Sequence, residues 1–158
     1  MREIKQIIVH CTASPDSLDI GFKEINQWHK ERGWASPSGV SCGYHYIVRR
    51  DGRYERGRPD RETGAHAKGY NSNSIGVVWC GDKYPQPKQV SALLELLRKL
   101  MKKYKVPVEK VLGHCEISEK TCPNIDMHWL RAELIFMPVN VADAERIVDE
   151  ILDRPENK

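Results

Sequence analysis

Six side chains in this sequence have types and positions that could do chemistry together. Three are metal-ligand types at the ends of structural segments. His10 closes one short β-branched stretch, His114 closes another, and Cys122 follows in a polar loop, KTCPN. Zinc accepts imidazole and thiolate, and a catalytic zinc uses three protein ligands with a fourth position left open. A lone histidine at a strand end is commonly a satisfied structural residue, and an isolated cysteine a small buried hydrophobe. The chain has no CxxC or HExxH pattern, so spacing alone leaves the metal reading and the structural reading both open. The other three are Tyr44 in GYHY, Lys120 just before Cys122, and His66 in GAHAKGYNSNS. Tyrosines on alternating strands usually pack and loop lysines are usually solvated, so Tyr44 and Lys120 matter only if they face the same point as the metal. Glycines around His66 permit close approach and make a substrate contact a reading for it.

The elements that must position these groups follow from periodicity. Residues 5–10 (KQIIVH) read as a buried strand, 11–21 as a loop, and 22–32 as a helix with Phe22, Ile25, Trp28 and His29 on one face. Residues 44–50 alternate and lead through Asp51-Gly52 into residues 53–55, which predicts a hairpin with a tight two-residue turn. Residues 57–74 form a long polar, glycine-rich loop, a length usually tied to function in a compact domain. Residues 74–80 read as a second buried strand, and 87–105 as the clearest helix, with Val90, Leu93, Leu94, Leu97, Leu100, Met101 and Tyr104 inward. A short strand at 111–114, a helix at 126–134 capped by Asp126, and an amphipathic helix at 140–152 complete the reading. Strand alternation sends Cys11 and Cys115, each following a candidate ligand, to the opposite face as core thiols. His29, His45 and His128 are read as structural. Strands separated by helices, with one hairpin, predict a single α/β domain: a central mixed sheet flanked by helices.

Composition narrows the function classes. The chain has 158 residues, 40% hydrophobic and 30% charged, which suits one soluble globular domain. No apolar run approaches the ~20 residues of a membrane-spanning helix. The start, MREIKQIIVHCTAS, lacks the apolar core of a signal peptide. The expectation is a product that is cytoplasmic on synthesis. A net charge of +3 and a pI near 8.6 fall short of a nucleic-acid-binding footprint but are compatible with an anionic polymer. Five scattered cysteines argue against a disulfide framework.

Five segments, in order, carry a resemblance: IIVHCTAS, INQWHKERGW, GYHYIVRRDGRYERGR, GAHAKGYNSNSIGV and GHCEISEKTCPNID. Together they resemble the zinc-dependent N-acetylmuramoyl-L-alanine amidases of the type-2 family, above all its phage amidase-type lysozyme branch, with peptidoglycan recognition proteins as more distant kin. The resemblance covers roughly residues 6 to 133. It implies Zn2+ on His10, His114 and Cys122, catalytic roles for Tyr44 and Lys120, and a substrate-cleft position for His66. It implies residues 1–134 as the catalytic domain, leaving 135–158 as a C-terminal extension with one amphipathic helix. The implied activity is hydrolysis of the amide between N-acetylmuramic acid and L-alanine in peptidoglycan, of the endolysin type. Such a monomeric enzyme would have no membrane or nucleic-acid partner and would reach the wall by holin-dependent release. The alternatives are a non-catalytic peptidoglycan-binding module or a regulatory partner of a phage RNA polymerase.

Overall fold

The computed structural model describes residues 1–136. The helix expected at 140–152, and all of the expected C-terminal extension beyond residue 136, lie outside the described residues.

The longest β-branched runs make the sheet's centre. β1 (Gln6–Cys11) and β4 (Ser74–Trp79) are buried along their whole length and pair in parallel, with Ile7 opposite Ile75 and His10 opposite Val78. Near-continuous apolar runs of this kind are what a strand covered on both faces requires. β5 (Val111–Gly113) pairs parallel to β1 on its other side, and β2 (Tyr46–Val48) pairs parallel to β4. β3 (Tyr54–Arg56) runs antiparallel to β2 at the edge, giving the order β3-β2-β4-β1-β5. The mixed sheet expected from the sequence is therefore present.

Helices cover both faces. α2 (Pro87–Tyr104) and α3 (Met127–Phe136) pack on the face built from Ile7, Val9, Ile75, Val77 and Trp79. α1 (Phe22–Glu31) packs on the other, where Ile25 meets Ile47 and Val78. The period of two along β1 puts His10 on the α1 side, while Cys11 joins the α2 side. Asp126 caps α3 as expected, its carboxylate accepting the Trp129 amide at 3.0 Å.

Four expectations need correction. Trp28 is 41% exposed, so the inward face of α1 is Phe22, Ile25 and His29 without it. The alternating stretch 44–50 contributes only Tyr46–Val48 to the sheet. Its turn holds three residues: the Arg49 amide donates to Arg53 O at 2.7 Å and the Gly52 amide to Arg49 O at 3.0 Å. Gly52 sits at φ +86°, as a three-residue loop closed by a left-handed glycine requires. Cys115 is exposed, because β5 ends at Gly113 and residues 114–116 turn as a 3-10 helix, where strand alternation no longer applies.

One polar group in the core sets a pH dependence. His45 is fully buried; its Nδ1 accepts the Gly76 amide at 3.0 Å and its Nε2–H donates to Glu62 O at 3.0 Å. Burial lowers its pKa to about 4. The unfolded chain therefore takes up this proton first, and the stability it supplies is complete above pH ~6.5 and lost as pH falls toward 4. The change expected from this one group is about 3 kcal/mol. Urea unfolding of the wild type and of His45→Gln at pH 7 and pH 4.5 should show a smaller pH difference in the variant.

Candidate functional site

The C-terminal ends of β1 and β5 lie side by side, and the site grows from them. His10 is the penultimate residue of β1 and His114 directly follows β5. Their rings lie 4.5 Å apart between centroids. β1 runs two residues past the pairing between Val9 and Gly113, so on that side the Cys11 amide has no strand to bond. The sulfur of Cys122 takes it, accepting the Cys11 N–H at 3.1 Å. The loop that delivers Cys122 is closed by the Cys115 amide donating to Cys122 O at 2.7 Å. It is anchored below by the Trp79 indole N–H donating to Pro123 O at 2.9 Å. One donor atom each from His10, His114 and Cys122 then falls within 4.8 Å of the others.

Two imidazoles and a sulfur form a set suited to zinc. Tetrahedral coordination at ordinary bond lengths asks for about 3.3–3.6 Å between donors. The three lie within 4.8 Å of one another, somewhat wider than that span, so a small side-chain adjustment would close the set, and we take the residues to fit the ion. Their protonation is suited as well. Burial, then the neighbouring His114 and Lys120, holds His10 well below the ordinary histidine range. Burial and Lys120 lower His114 in the same direction. Both rings are neutral at pH 7 with a lone pair to offer. Contact with the Cys11 thiol, and then burial, raises the Cys122 thiol, so its sulfur needs a cation beside it to exist as thiolate.

Tyr44 lies 5.1 Å from His10, ring to ring. α1 places it. Asn26 and His29 are three apart on one helix face. The Asn26 Oδ1 accepts the Ser41 and Cys42 amides at 2.8 and 2.9 Å, and the His29 Nδ1 accepts the Gly43 amide at 2.8 Å. The backbone just before Tyr44 is thus pinned residue by residue. His29 keeps its structural role while also lining the groove. Burial raises the Tyr44 pKa and keeps the phenol protonated.

The remaining wall is the long loop 57–73. His66 reaches the site, its Nδ1 3.0 Å from His10 Nε2. Asn71 Oδ1 holds this turn by accepting the His66 and Ala67 amides at 2.8 and 2.9 Å. Together these segments enclose an open groove of about 870 Å3, with His10, Tyr44, His66, His114, Lys120 and Cys122 among its lining residues. All six side chains singled out in the sequence share this one groove. Its charged lining is Arg32, Lys68 and Lys120, with no carboxylate among the described residues.

The chain matches the family model described as N-acetylmuramoyl-L-alanine amidase over residues 1–125. It is 42% identical over 139 residues to the endolysin of Escherichia phage T7, covering 82% of this chain and 87% of that protein. The chain belongs to the N-acetylmuramoyl-L-alanine amidase family. The endolysin of Klebsiella phage KP32 is 40% identical over 144 residues, covering 85% of this chain and 91% of the relative. Among solved structures of similar fold is the amidase LysC from Clostridium intestinale, with a TM-score of 0.74 at 30% identity, covering 84% of this chain and 86% of that one. The Drosophila peptidoglycan recognition protein LB superposes with a TM-score of 0.68 at 27% identity, covering 87% and 83%.

One residue that holds this amidase-family groove carried no signal in the sequence. The Arg58 guanidinium is buried and donates to the carbonyls of Trp34, Ser41, Cys42 and Thr63. It ties the loop after α1, the segment before Tyr44 and its own loop together. An arginine in GRPD has no local mark separating it from a surface charge. Arg58→Met should strand several buried acceptors and cost about 3 kcal/mol. Thermal unfolding of the purified variant checks it, with a fall in midpoint as the expected result.

Proposed function

We propose that this chain hydrolyses the amide between N-acetylmuramic acid and the L-alanine of the stem peptide in peptidoglycan, with zinc held by His10, His114 and Cys122. The observation that carries the reading is the convergence of those three donors, within 4.8 Å of one another, in an open groove. Zinc so held supplies Lewis acidity toward the scissile carbonyl and a water of lowered pKa.

The chain's own residues do the rest. Tyr44, kept protonated by burial, donates its phenolic hydrogen to the oxygen that gains negative charge as the amide carbon becomes tetrahedral. Lys120, a cation on the ligand loop, lines the same groove and acts on the same charge. A preorganised donor aimed at that oxygen contributes roughly 3 kcal/mol to the barrier reduction. A thiolate ligand neutralises part of the metal's charge, which is why further cationic and donor groups are needed. The groove's positive lining suits a polymer whose stem peptides carry carboxylates. His66 lines the substrate cleft in this reading. The endolysin relatives support an enzyme that meets the wall after release from the cell that made it.

Two measurements on the full chain test the proposal: metal content, and release of free amine from purified sacculi. One equivalent of zinc per chain is expected, lost together with activity in Cys122→Ala. Tyr44→Phe and Lys120→Ala should retain zinc and lose about 100-fold or more in kcat. Amine release that persists unchanged after complete chelation would overturn the zinc assignment. Near-wild-type turnover in either substitution would remove that residue from the chemistry.

A further inference from the structure

His66 sits among more constraints than a substrate contact needs. Its Nδ1 faces His10 Nε2 at 3.0 Å, and its Nε2 faces Ser74 Oγ at 3.3 Å. Ser74, the first residue of β4, is completely buried, and its hydroxyl donates to Tyr70 O at 2.7 Å. Glycines flank the imidazole: a Cβ at Gly64 would come within 2.5 Å of its Cδ2, and one at Gly76 within 2.6 Å. The ring therefore occupies space that any side chain at either position would take.

The protons in this chain of contacts can be counted. Tyr70 O is a carbonyl and can only accept, so the single Ser74 hydroxyl hydrogen is committed to it. What Ser74 offers His66 is a lone pair, which requires the hydrogen of His66 on Nε2. A neutral imidazole then carries a bare Nδ1, which accepts a hydrogen from His10 Nε2. His10 Nδ1 is left without a hydrogen, as a metal ligand must be. Reversing either bond of His66 would put a hydrogen on His10 Nδ1.

We propose that Ser74 and His66 are positioning residues that set the tautomer of His10, so that its Nδ1 is presented bare to the metal. The carbonyl of Tyr70 is the fixed end of the chain. Burial, the largest influence on its ring, holds His66 well below the ordinary histidine range, in keeping with a single ring hydrogen. The inference rests on the zinc reading of the preceding subsection, and its test separates the two.

The experiment uses the full chain with 15N-labelled histidine, long-range 1H–15N correlation spectra without metal, and zinc affinity by chelator competition. The expected spectra show both His66 and His10 with hydrogen on Nε2. Ser74→Ala should mix the His66 tautomers and weaken zinc binding about tenfold or more. His66→Asn, whose Oδ1 can replace Nδ1 as acceptor, should stay near wild-type affinity, while His66→Leu should lose about 10- to 100-fold. This pair keeps the test decisive if the buried Ser74 variant does not fold. Hydrogen on Nδ1 of His66 in the wild type, or equal zinc affinity in the Asn and Leu variants, would overturn the inference alone. A wild-type protein that takes up no zinc would overturn the metal reading, and the inference with it.

Discussion

β5 stops at Gly113, two residues before β1 does, and that mismatch governs the site. A strand edge inside a protein exposes an amide that must find an acceptor. Here the acceptor is the sulfur of Cys122, which its loop brings beside His10. A hydrogen bond to an ionised acceptor contributes about 1.5–3 kcal/mol. The same bond that satisfies the sheet therefore favours the thiolate form of Cys122. Had β5 continued for two more residues, it would have taken the Cys11 amide and displaced the sulfur.

The other wall solves a different problem. Tyr44 and the segment before it lie outside any strand, so regular pairing cannot orient them. Side chains do much of the work, beside two backbone bonds in which Gly43 O accepts the Ala65 amide and Tyr44 O accepts the Arg58 amide. Asn26 and His29 reach across from α1, while Arg58 gathers carbonyls from three segments into one cationic centre. A guanidinium can do this because its donors spread in a plane, and an ammonium of similar charge could not match the geometry. The catalytic phenol of the proposed mechanism thus owes its position to residues with no chemical role of their own.

What was legible in the sequence was what depends on short-range pattern. Ile7, Ile8 and Val9 mark β1 by composition, the leucines of α2 recur at helical spacing, and Asp126 stands where a cap belongs. The site's chemical residues were legible through ordered motifs, each carrying one or two of them. Arg58, Ser74, Asn71 and Gln89 were not, because their meaning lies in partners brought near only by the fold. Gln89 is fully buried in α2 and donates to Val48 O and Cys80 O, which no helical pattern foretells. The exposed Cys115 and the half-exposed Trp28 err the other way. Periodicity assigns a face, but the extent of the covering layer decides whether that face is dry.

β1 and β5 are neighbours in the sheet although the chain writes them near opposite ends of the described region. An ion gripped by His10, His114 and Cys122 would act as a clasp between the first strand and the last. No partly folded form that has docked only one of them would possess the complete set of donors. Ligation energy would then accrue to the whole sheet rather than to one loop, about 4 kcal/mol at a free ion level 1,000-fold above Kd. Fraying of β5, one of the two short edge strands of this sheet, would require letting go of the ion first.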